Sequence, residues 1–372
     1  MRSLLRTPRK NSNQANLSKK KGAALETVIK TISSDEINTD AAITTINDAA
    51  HILANGGLVV FPTETVYGLG GNALDAEAAK KIYAAKGRPS DNPLIIHIAA
   101  PEDAEKYCYT NEIYYRLADA FMPGPLTVIL PKKDVIPYSV TGGLPSVAVR
   151  CPSHPIASAL ISALKAPIAA PSANISGKPS PTCAEYVVED MNGRVDMIID
   201  GGECDIGLES TIVKIEDDGL ILLRPGGITC DALSCVCENV KIADAVIGSL
   251  GANERPLSPG MKYRHYAPSS PFILINGSDE DKLEFLLSAT KNENCAVLCY
   301  DEELPLLGTK NTVPIGSRND LEHQAKALFS ALRIADKLNA NVIYGHLPPM
   351  EGLGLALYNR MIRAAAHTIK NV

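Results

Sequence analysis

Several features that often reveal a protein's class are scarce or absent in this chain of 372 residues. It contains no Trp and only 5 Phe, so any core must be built mainly from Val, Ile, Leu and Ala. No apolar run reaches about 18 residues, which predicts that no helix spans a membrane. The first residues lack the apolar segment of a secretory signal. The nine cysteines include no C-x-x-C pair, which indicates neither a zinc site nor a disulfide framework and is typical of a cytoplasmic protein.

Charge is distributed unevenly along the chain. Residues 1–25 hold seven Lys or Arg and no acid, whereas the rest of the chain holds 29 basic and 42 acidic residues, a net charge of −13. Sequence-independent binding of nucleic acid needs a basic surface, so an acidic body disfavours it. We expect residues 1–32 to form a basic, flexible tail. Such a tail could also make a weak contact with tRNA or resemble an organellar targeting segment.

Apolar, strand-like segments alternate with helical ones through the remaining chain. Between residues 33 and 231 these strands are short and closely spaced, which predicts hairpins within a mixed, twisted sheet flanked by helices. Residues 232–268 include the Pro- and Gly-rich segment GANERPLSPGMKYRHYAP, which we expect to be a linker or lid. From 269 to 372 strands and helices alternate regularly, which predicts a smaller, parallel, Rossmann-like α/β domain. The predicted fold class is therefore α/β, with two unequal domains.

The common phosphate-binding motifs are not present. No G-x-x-x-x-G-K-[ST] occurs. The segment GLGGNA, residues 68–73, matches G-x-G-x-x-[GA], but PTETVY separates it from the preceding strand and Asp91 falls in a turn. Both features depart from the dinucleotide-binding context. An anionic ligand would therefore have to be held by side chains scattered along the chain.

Cations stand at three separate strand edges. Lys86 and Arg88 flank Gly87, where a helix predicted over residues 75–86 stops before the strand PLIIHIA. Arg150 ends the strand SVAVR, and Arg224 ends the strand LILLR before a Pro-Gly-Gly turn. Each cation alone could simply face water or complement a helix dipole. Together they predict a cleft for a polyanion, because a buried guanidinium needs anionic partners.

Small polar residues recur in similar places. The segment APSANISGKPSPT follows a short apolar strand, and its hydroxyl, amide and backbone N–H groups suit phosphate or ribose, although an ordinary Ser/Pro loop is the alternative. Thr63 and Thr65 lie at a strand-to-loop corner, and Ser210 begins another strand. His97 lies inside LIIHI, a context more often occupied by a core histidine than by a ligand-binding one. The sequence shows no Ser-His-Asp, Cys-His or paired-carboxylate arrangement.

Seven segments in order resemble the YrdC/Sua5 family of threonylcarbamoyl-AMP synthases, and SPGMKYRHYAP resembles the interdomain linker of the two-domain Sua5 type. The resemblance covers about residues 35–372. It implies a YrdC-like first domain and a Sua5-type C-terminal domain. The segments are FPTETVYGLGGNA, KGRPSDNPLIIHI, MPGPLTVIL, VAVRCPSHP, APSANISGKPSPT, GLESTIV and LLRPGGI.

The resemblance also implies a reaction. L-Threonine, bicarbonate or CO2, and ATP would give threonylcarbamoyl-AMP and pyrophosphate, with Mg²⁺ accompanying the ATP and no metal ligand assigned in the chain. The enzyme would be a nucleotidyltransferase, and a downstream transferase complex would carry the threonylcarbamoyl group to adenosine 37 of tRNA, forming t6A.

Site residues follow from the same resemblance. Lys86 and Arg88 would act on the phosphates and count as catalytic. The ATP-binding set would be Lys86, Arg88, Asn92, Ser146, Ser172, Asn174, Ser180, Arg224 and Tyr263. The threonine-binding set would be Thr65, His97, Arg150 and Ser210, with Arg150 on the carboxylate.

Two alternatives to this function differ in class. The first domain could be a double-stranded-RNA-binding module without catalysis, although the acidic body disfavours it. A carbamoyl transfer of the hydrogenase-maturation type uses a related domain, but the acylphosphatase and zinc-finger segments of those proteins are missing from this sequence.

Overall fold

The computed structural model of the protein describes residues 25–217, 219–248, 265–308 and 310–372. These residues form two sheets with helices packed against them. The strands of the first sheet are β1 Val28–Thr31, β2 Val59–Phe61, β3 Gly68–Asn72, β4 Ile95–His97, β5 Leu126–Pro131, β6 Ser146–Arg150, β7 Ile168–Ala169, β8 Met197–Asp200, β9 Thr211–Glu216, β10 Gly219–Arg224 and β11 Val240–Ile242. Those of the second are β12 Phe272–Asn276, β13 Cys295–Cys299, β14 Thr312–Pro314, β15 Val342–His346 and β16 Ile369–Asn371.

Eight helices accompany the first sheet and four the second within the described ranges. The former are α1 Asp40–Ala54, α2 Ala76–Lys86, α3 Ala104–Tyr107, α4 Glu112–Phe121, α5 Pro155–Leu164, α6 Ala184–Met191, α7 Cys230–Val236 and α8 Asp244–Ile247. The latter are α9 Asp279–Asn292, α10 Leu304–Leu307, α11 Leu321–Lys337 and α12 Gly354–Ala364. No helix in the described part of the chain has the length and apolar character needed to cross a membrane.

The first sheet is mixed, with the strand order β1-β8-β2-β3-β7-β4-β6-β5-β9-β10-β11. Antiparallel pairs such as β5–β6 and β9–β10 alternate with parallel pairs such as β4–β6 and β5–β9. The second sheet has the order β14-β13-β15-β12-β16, and all its pairs are parallel. The predicted fold class, a mixed sheet followed by a smaller parallel α/β domain, is confirmed.

Strand direction brings several polar residues to one edge of the first sheet. The parallel strands β4 and β6 both end there, with His97 opposite Arg150. Because β5 runs antiparallel to β6, it begins at the same edge, with Thr127 opposite Arg150. Strand β9 runs parallel to β5 and also begins there, whereas β10 ends there at Arg224. Residues far apart in sequence therefore meet at this edge.

The first sheet extends beyond the range 33–231 expected for its domain. Strand β1 lies within the expected tail and pairs with β8, because Val28–Thr31 continues the parallel register of Met197–Asp200. Strand β11 lies within the expected linker and pairs with β10. Within the rest of that linker, residues 249–264 lie outside the described ranges.

The glycine-rich segment 68–73 forms the buried strand β3. A Cβ atom on Gly70 would lie 2.8 Å from Phe61 Cε1 and 2.8 Å from Ile168 Cγ2. Neighbouring side chains therefore occupy the space that a side chain at residue 70 would need, which explains the glycine there. This packing role is consistent with the prediction that the segment is not a dinucleotide-binding motif.

The two domains share a hydrophobic cluster. Val66 and Leu208 of the first domain pack in one cluster with Tyr266, Leu328 and Phe329. The interface also contains buried polar contacts: Arg333 Nη2 donates to Asp190 Oδ2 at 2.7 Å, and Asn359 Nδ2 donates to Val246 O at 2.7 Å. The C-terminal domain thus packs directly against the sheet edge described above.

Candidate active site

A narrow pocket lies at this sheet edge, next to the C-terminal domain. Its cavity volume is about 50 Å³. His265 and Tyr266, which directly follow the undescribed segment, are among the lining residues. The full lining is Thr63, Val66, Tyr67, Gly68, Lys86, Arg88, Ile95, His97, Arg150, Ala170, Pro171, Ser172, Asn174, Ser176, Gly177, Ser180, Glu209, Ser210, Arg224, His265 and Tyr266.

The end of α2 directs two cations into this pocket. The helix begins after Asp75, whose side chain accepts from the Glu77 N–H, and ends at Gly87, whose φ of 62° is left-handed. Glycine favours that conformation, and the backbone N–H of Arg88 then bonds back to Tyr83 O at 2.9 Å. Lys86 is 2 % exposed and Arg88 9 %. A turn that would usually face water therefore presents two buried cations.

Among the described residues, the acceptors within hydrogen-bond distance of Lys86 are all neutral. Its Nζ donates to Ser172 O at 2.5 Å, Asn174 O at 2.6 Å and Asn174 Oδ1 at 3.3 Å. Burial lowers the pKa of Lys86 well below its ordinary value, and the charge of Arg88 lowers it further. An anion at this point would favour the charged amine and reverse this effect.

The loop after β7 is held against Lys86 by its own polar side chains. Ser172 Oγ donates to Asn174 Oδ1 at 2.6 Å, and Asn174 Nδ2 donates to Ile175 O and Lys178 O at 2.9 and 2.8 Å. A backbone bridge between Gly68 and Ser172 attaches the loop to β3. Several hydrogen bonds of its own thus hold the loop in place.

Arg150 is paired with an acid that the sequence did not point to. Arg150 Nη2 lies 2.7 Å from Glu64 Oε1, and both side chains are buried. Burial alone would raise the pKa of Glu64, but the positive charge of Arg150 lowers it below its ordinary value. Arg150 lines the pocket, whereas Glu64 does not.

His97 is a neutral imidazole in this environment. Burial and the charge of Arg150 lower its pKa to about 3. Its Nδ1 lies 3.3 Å from Ile168 O, a carbonyl that can only accept, so the proton is on Nδ1 and Nε2 is left as an acceptor. His97 lines the pocket and offers a hydrogen-bond acceptor there.

Ser210, a lining residue of the pocket, contacts side chains from β5 and β10. Arg224 donates through Nε to Ser210 O at 3.0 Å and through Nη2 to Ser210 Oγ at 3.1 Å. The hydroxyls of Thr127 and Ser210 lie 2.7 Å apart. Burial lowers the pKa of Arg224 to about 10, although the nearby Glu209 carboxylate works in the opposite direction, so Arg224 remains charged at neutral pH.

Glu209 is the carboxylate that lines the pocket within the described residues. Its Oε1 accepts from Ser180 Oγ at 2.6 Å, and its Oε2 lies 2.8 Å from Arg360 Nε, on α12 of the C-terminal domain. Burial alone would raise the pKa of Glu209, but Arg360 and Arg224 lower it to about 2. Sequence reasoning missed both members of this pair. Glu209 does lie inside GLESTIV, whereas no local pattern marks Arg360.

In the structure, most of the predicted site residues lie around this one pocket. Nine of the thirteen line the pocket: Lys86, Arg88, His97, Arg150, Ser172, Asn174, Ser180, Ser210 and Arg224. Thr65 is buried just behind it, with its hydroxyl 2.9 Å from that of the lining residue Thr63. Asn92 accepts from Arg88 through its backbone carbonyl, and Ser146 stands at the other end of β6 from Arg150. Tyr263 lies outside the described residues.

Comparisons with known proteins identify the family to which the chain is similar. Residues 51–226 match a family model described as "Telomere recombination", and residues 228–366 match one described as "Threonylcarbamoyl-AMP synthase, C-terminal domain". The chain is 46% identical to the threonylcarbamoyl-AMP synthase of Pyrococcus abyssi, covering 88% of this chain and 96% of that protein. It is 44% identical to that of Bacillus subtilis, covering 89% and 95%.

Solved structures give the same result. A crystal structure of Pyrococcus abyssi Sua5 complexed with L-threonine superposes with a TM-score of 0.84 at 43% identity, covering 93% of this chain and all of that one. A doubly substituted variant of the same protein superposes with a TM-score of 0.85 at 42% identity, covering 93% and 98%. The family expected from the sequence motifs is confirmed, and the chain belongs to the two-domain, Sua5-type family of threonylcarbamoyl-AMP synthases.

Proposed function

We propose that this protein condenses L-threonine, bicarbonate or CO2, and ATP into threonylcarbamoyl-AMP and pyrophosphate, the first stage of forming t6A in tRNA. The observation that carries the proposal is the convergence of Lys86, Arg88, Arg150 and Arg224 on one buried pocket. ATP brings about four negative charges, and charge-assisted donors are the groups that bind such a ligand strongly.

We assign the triphosphate to the side of the pocket formed by α2 and the loop after β7. Lys86 and Arg88 supply positive charge there, and Ser172, Asn174 and Ser180 supply hydroxyl and amide groups. Arg224 would complete the phosphate contacts. Asn92 supports Arg88 through its carbonyl, whereas Ser146 and Tyr263 remain predicted nucleotide contacts without further support.

We assign threonine to the ends of β4 and β6. The Arg150 guanidinium would bind its carboxylate, and His97 Nε2 would accept from its hydroxyl or amine. Ser210 offers a further hydroxyl, and Thr65 positions Thr63 at the rim. The His97 imidazole stays neutral above a pH of about 3, so it remains an acceptor throughout the physiological range.

The chemistry needs no protein nucleophile. The threonine amine adds to the carbon of CO2 and loses a proton, giving a carbamate. A carbamate oxygen then attacks the α-phosphorus, the bond to the β-phosphate oxygen breaks, and pyrophosphate leaves with the electron pair. The pocket's cations orient the phosphates and stabilise the charge that develops on them. The closeness of His265 and Tyr266 would keep water from the reactive intermediates.

Mg²⁺ fits this site as a companion of ATP. The described residues include no group of three or more His, Cys, Asp or Glu that could hold a metal ion. Glu209, which faces the pocket, is already paired with Arg360 and Ser180. Mg²⁺ would therefore be held mainly by phosphate oxygens and would neutralise charge on the leaving pyrophosphate.

The product is a reactive mixed anhydride, so a downstream transferase complex would consume it and deliver the threonylcarbamoyl group to tRNA. The deciding experiment measures pyrophosphate release from ATP by the full chain, with threonine and bicarbonate present together and each omitted. We expect release only with both. Release that needs neither threonine nor bicarbonate would contradict the proposal. Salt-sensitive binding of double-stranded RNA with no release would also contradict it and would favour the RNA-binding alternative.

A further inference from the structure

Arg360 of the C-terminal domain reaches the pocket wall of the first domain. It lies on α12 and its side chain is fully buried. Nε is 2.8 Å from Glu209 Oε2, Nη2 donates to Glu209 O at 3.2 Å, and Nη1 donates to Pro225 O at 2.8 Å. The guanidinium therefore holds both the carboxylate and the backbone of Glu209.

Glu209, held by Arg360, in turn orients another residue at the pocket. Its other carboxylate oxygen accepts from Ser180 Oγ at 2.6 Å, so the Ser180 hydroxyl is oriented by a side chain that Arg360 fixes. Both Glu209 and Ser180 line the pocket. Arg360 itself does not, so any influence on a ligand must act through its partners.

Arg360 also contacts a second lining residue. Its guanidinium carbon lies 5.9 Å from the centre of the Tyr266 ring, a cation–π distance. The same ring stacks on Phe329 of α11, with centroids 5.1 Å apart. The C-terminal domain thus holds Tyr266 at the pocket from two of its helices.

The ion pair between Arg360 and Glu209 affects the net charge that a ligand meets in the pocket. An unpaired carboxylate inside a buried pocket would repel a polyphosphate, whereas a carboxylate paired with a guanidinium adds little net charge. Breaking such a buried pair leaves an uncompensated charge, so loss of Arg360 would expose the pocket to the charge of Glu209.

We propose that Arg360 is a positioning residue for ATP, and that through it the C-terminal domain completes the nucleotide pocket: Arg360 neutralises Glu209, and Glu209 orients Ser180. This inference rests on the proposed function, because it takes the pocket to be an ATP site.

The test compares four full-length variants with the wild type: R360M, R360K, E209Q/R360M and K337A. Steady-state rates give KM for ATP and kcat, and calorimetry with a non-hydrolysable ATP analogue gives affinity without turnover. Lys337 is the matched control, because it pairs across the same domain interface with Glu189 but is half-exposed and outside the pocket. All rates are measured well below each variant's melting temperature.

We expect R360M to raise KM and the analogue Kd about tenfold or more, and R360K to raise both less, because lysine keeps the charge but loses the planar fork. E209Q/R360M should recover at least about threefold of the affinity that R360M loses, because the unpaired charge is gone. K337A should match the wild type. If R360M does not fold, R360K decides the question.

Wild-type ATP affinity in R360K, and in R360M where it folds, with only the melting temperature lowered, would overturn the inference and leave Arg360 a structural residue. Failure of the proposed function is distinguishable from this outcome. In that case the wild type itself would neither release pyrophosphate nor bind the ATP analogue.

Discussion

Arg150 and Glu64 form an ion pair with 2.7 Å between Nη2 and Oε1, and neither side chain is more than 7% exposed. The sequence predicted that a strand-end arginine needs an anionic partner, and the structure supplies that partner from the corner between β2 and β3. A guanidinium held in this way keeps its orientation before a substrate carboxylate arrives, which reduces the ordering cost of binding.

Replacing Glu64 with glutamine should therefore affect stability and threonine binding together. Removing one partner of a buried ion pair costs about 3–5 kcal/mol, and a less constrained Arg150 should raise KM for threonine more than KM for ATP. Chemical denaturation and steady-state rates measure the two effects. Glu216, which pairs with Lys214 at the surface, provides the control, because exposed pairs contribute about 0–1 kcal/mol. Equal effects of E64Q and E216Q would contradict this role for Glu64.

Lys86 and Arg88 should be required for turnover but not for folding. Removing one donor that stabilises transition-state charge typically costs about 2.7–4 kcal/mol, so K86A and R88A should each lower kcat/KM about 100-fold or more. Pyrophosphate release gives the rate and circular dichroism checks the fold. Lys80 lies on the same helix, is exposed and pairs only with Glu77 in the described contacts, so K80A should behave as wild type. Wild-type rates in a folded K86A or R88A protein would remove that residue from the mechanism.

Several cations of the pocket could be predicted from local patterns. Asp75 and Gly87 mark the two ends of α2, and the structure places them as N-cap and left-handed C-cap. Arg150 and Arg224 could be recognised because charge at the end of an apolar strand is unusual, and Lys86 because it stands beside the glycine that ends a helix. Each of these patterns involves only a few neighbouring residues, so it can be recognised without knowledge of the tertiary fold.

The parts that could not be predicted depend on long-range packing. Glu209 and Arg360 are separated by 151 residues, and nothing near Arg360 in the sequence differs from an ordinary amphipathic helix. Strand β11 was likewise not predicted. It forms by pairing with β10 at the end of the strand order, and its own three residues do not indicate that pairing. Strand β3 was not predicted, because its glycines are atypical of a strand. The strand needs them in order to pack against Phe61.

ATP binding should take up protons through Lys86 at pH values between the free-state and bound-state pKa of its amine. The free protein holds this amine at a lowered pKa, and phosphates beside it should raise that pKa. Because the bound form then has the higher pKa, ATP affinity should weaken as pH rises above the free-state pKa. Calorimetry in two buffers of different ionisation enthalpy measures the proton uptake. K86R, whose guanidinium does not titrate in this range, should show much less, and equal uptake by both proteins would assign the proton to another group.

Glu209 should make the protein sensitive to acid. Its folded pKa of about 2 lies below the unfolded value near 4.5, so its contribution to stability is fully present above about 4.5. That contribution should disappear as pH falls from about 4.5 towards 2. Thermal melting across this range should show a steeper loss for wild type than for E209Q, which has no charge to lose. Parallel curves for the two proteins would show that this carboxylate is not stabilised by folding.

Gly207 should be essential for close contact between the domains. Its φ is +79°, and a Cβ atom there would lie 2.7 Å from Ala325 O and still closer to Lys326 Cα, both in α11 of the C-terminal domain. Backbone atoms cannot move aside as side chains can, so G207A should separate α11 from the loop that carries Glu209.

The matched control for this prediction is Gly202. Its φ is +86°, and a Cβ atom there would have no neighbour within 4 Å, so G202A introduces backbone strain without the steric clash. Strain of this kind costs about 1–3 kcal/mol. We expect G207A to lose clearly more stability than G202A, to scatter X-rays as a more open particle and to raise KM for ATP, because displacement of α11 and the neighbouring α12 withdraws Arg360 from Glu209. Equal stability loss and an unchanged KM in the two variants would show that domain contact at Gly207 has no bearing on the nucleotide pocket.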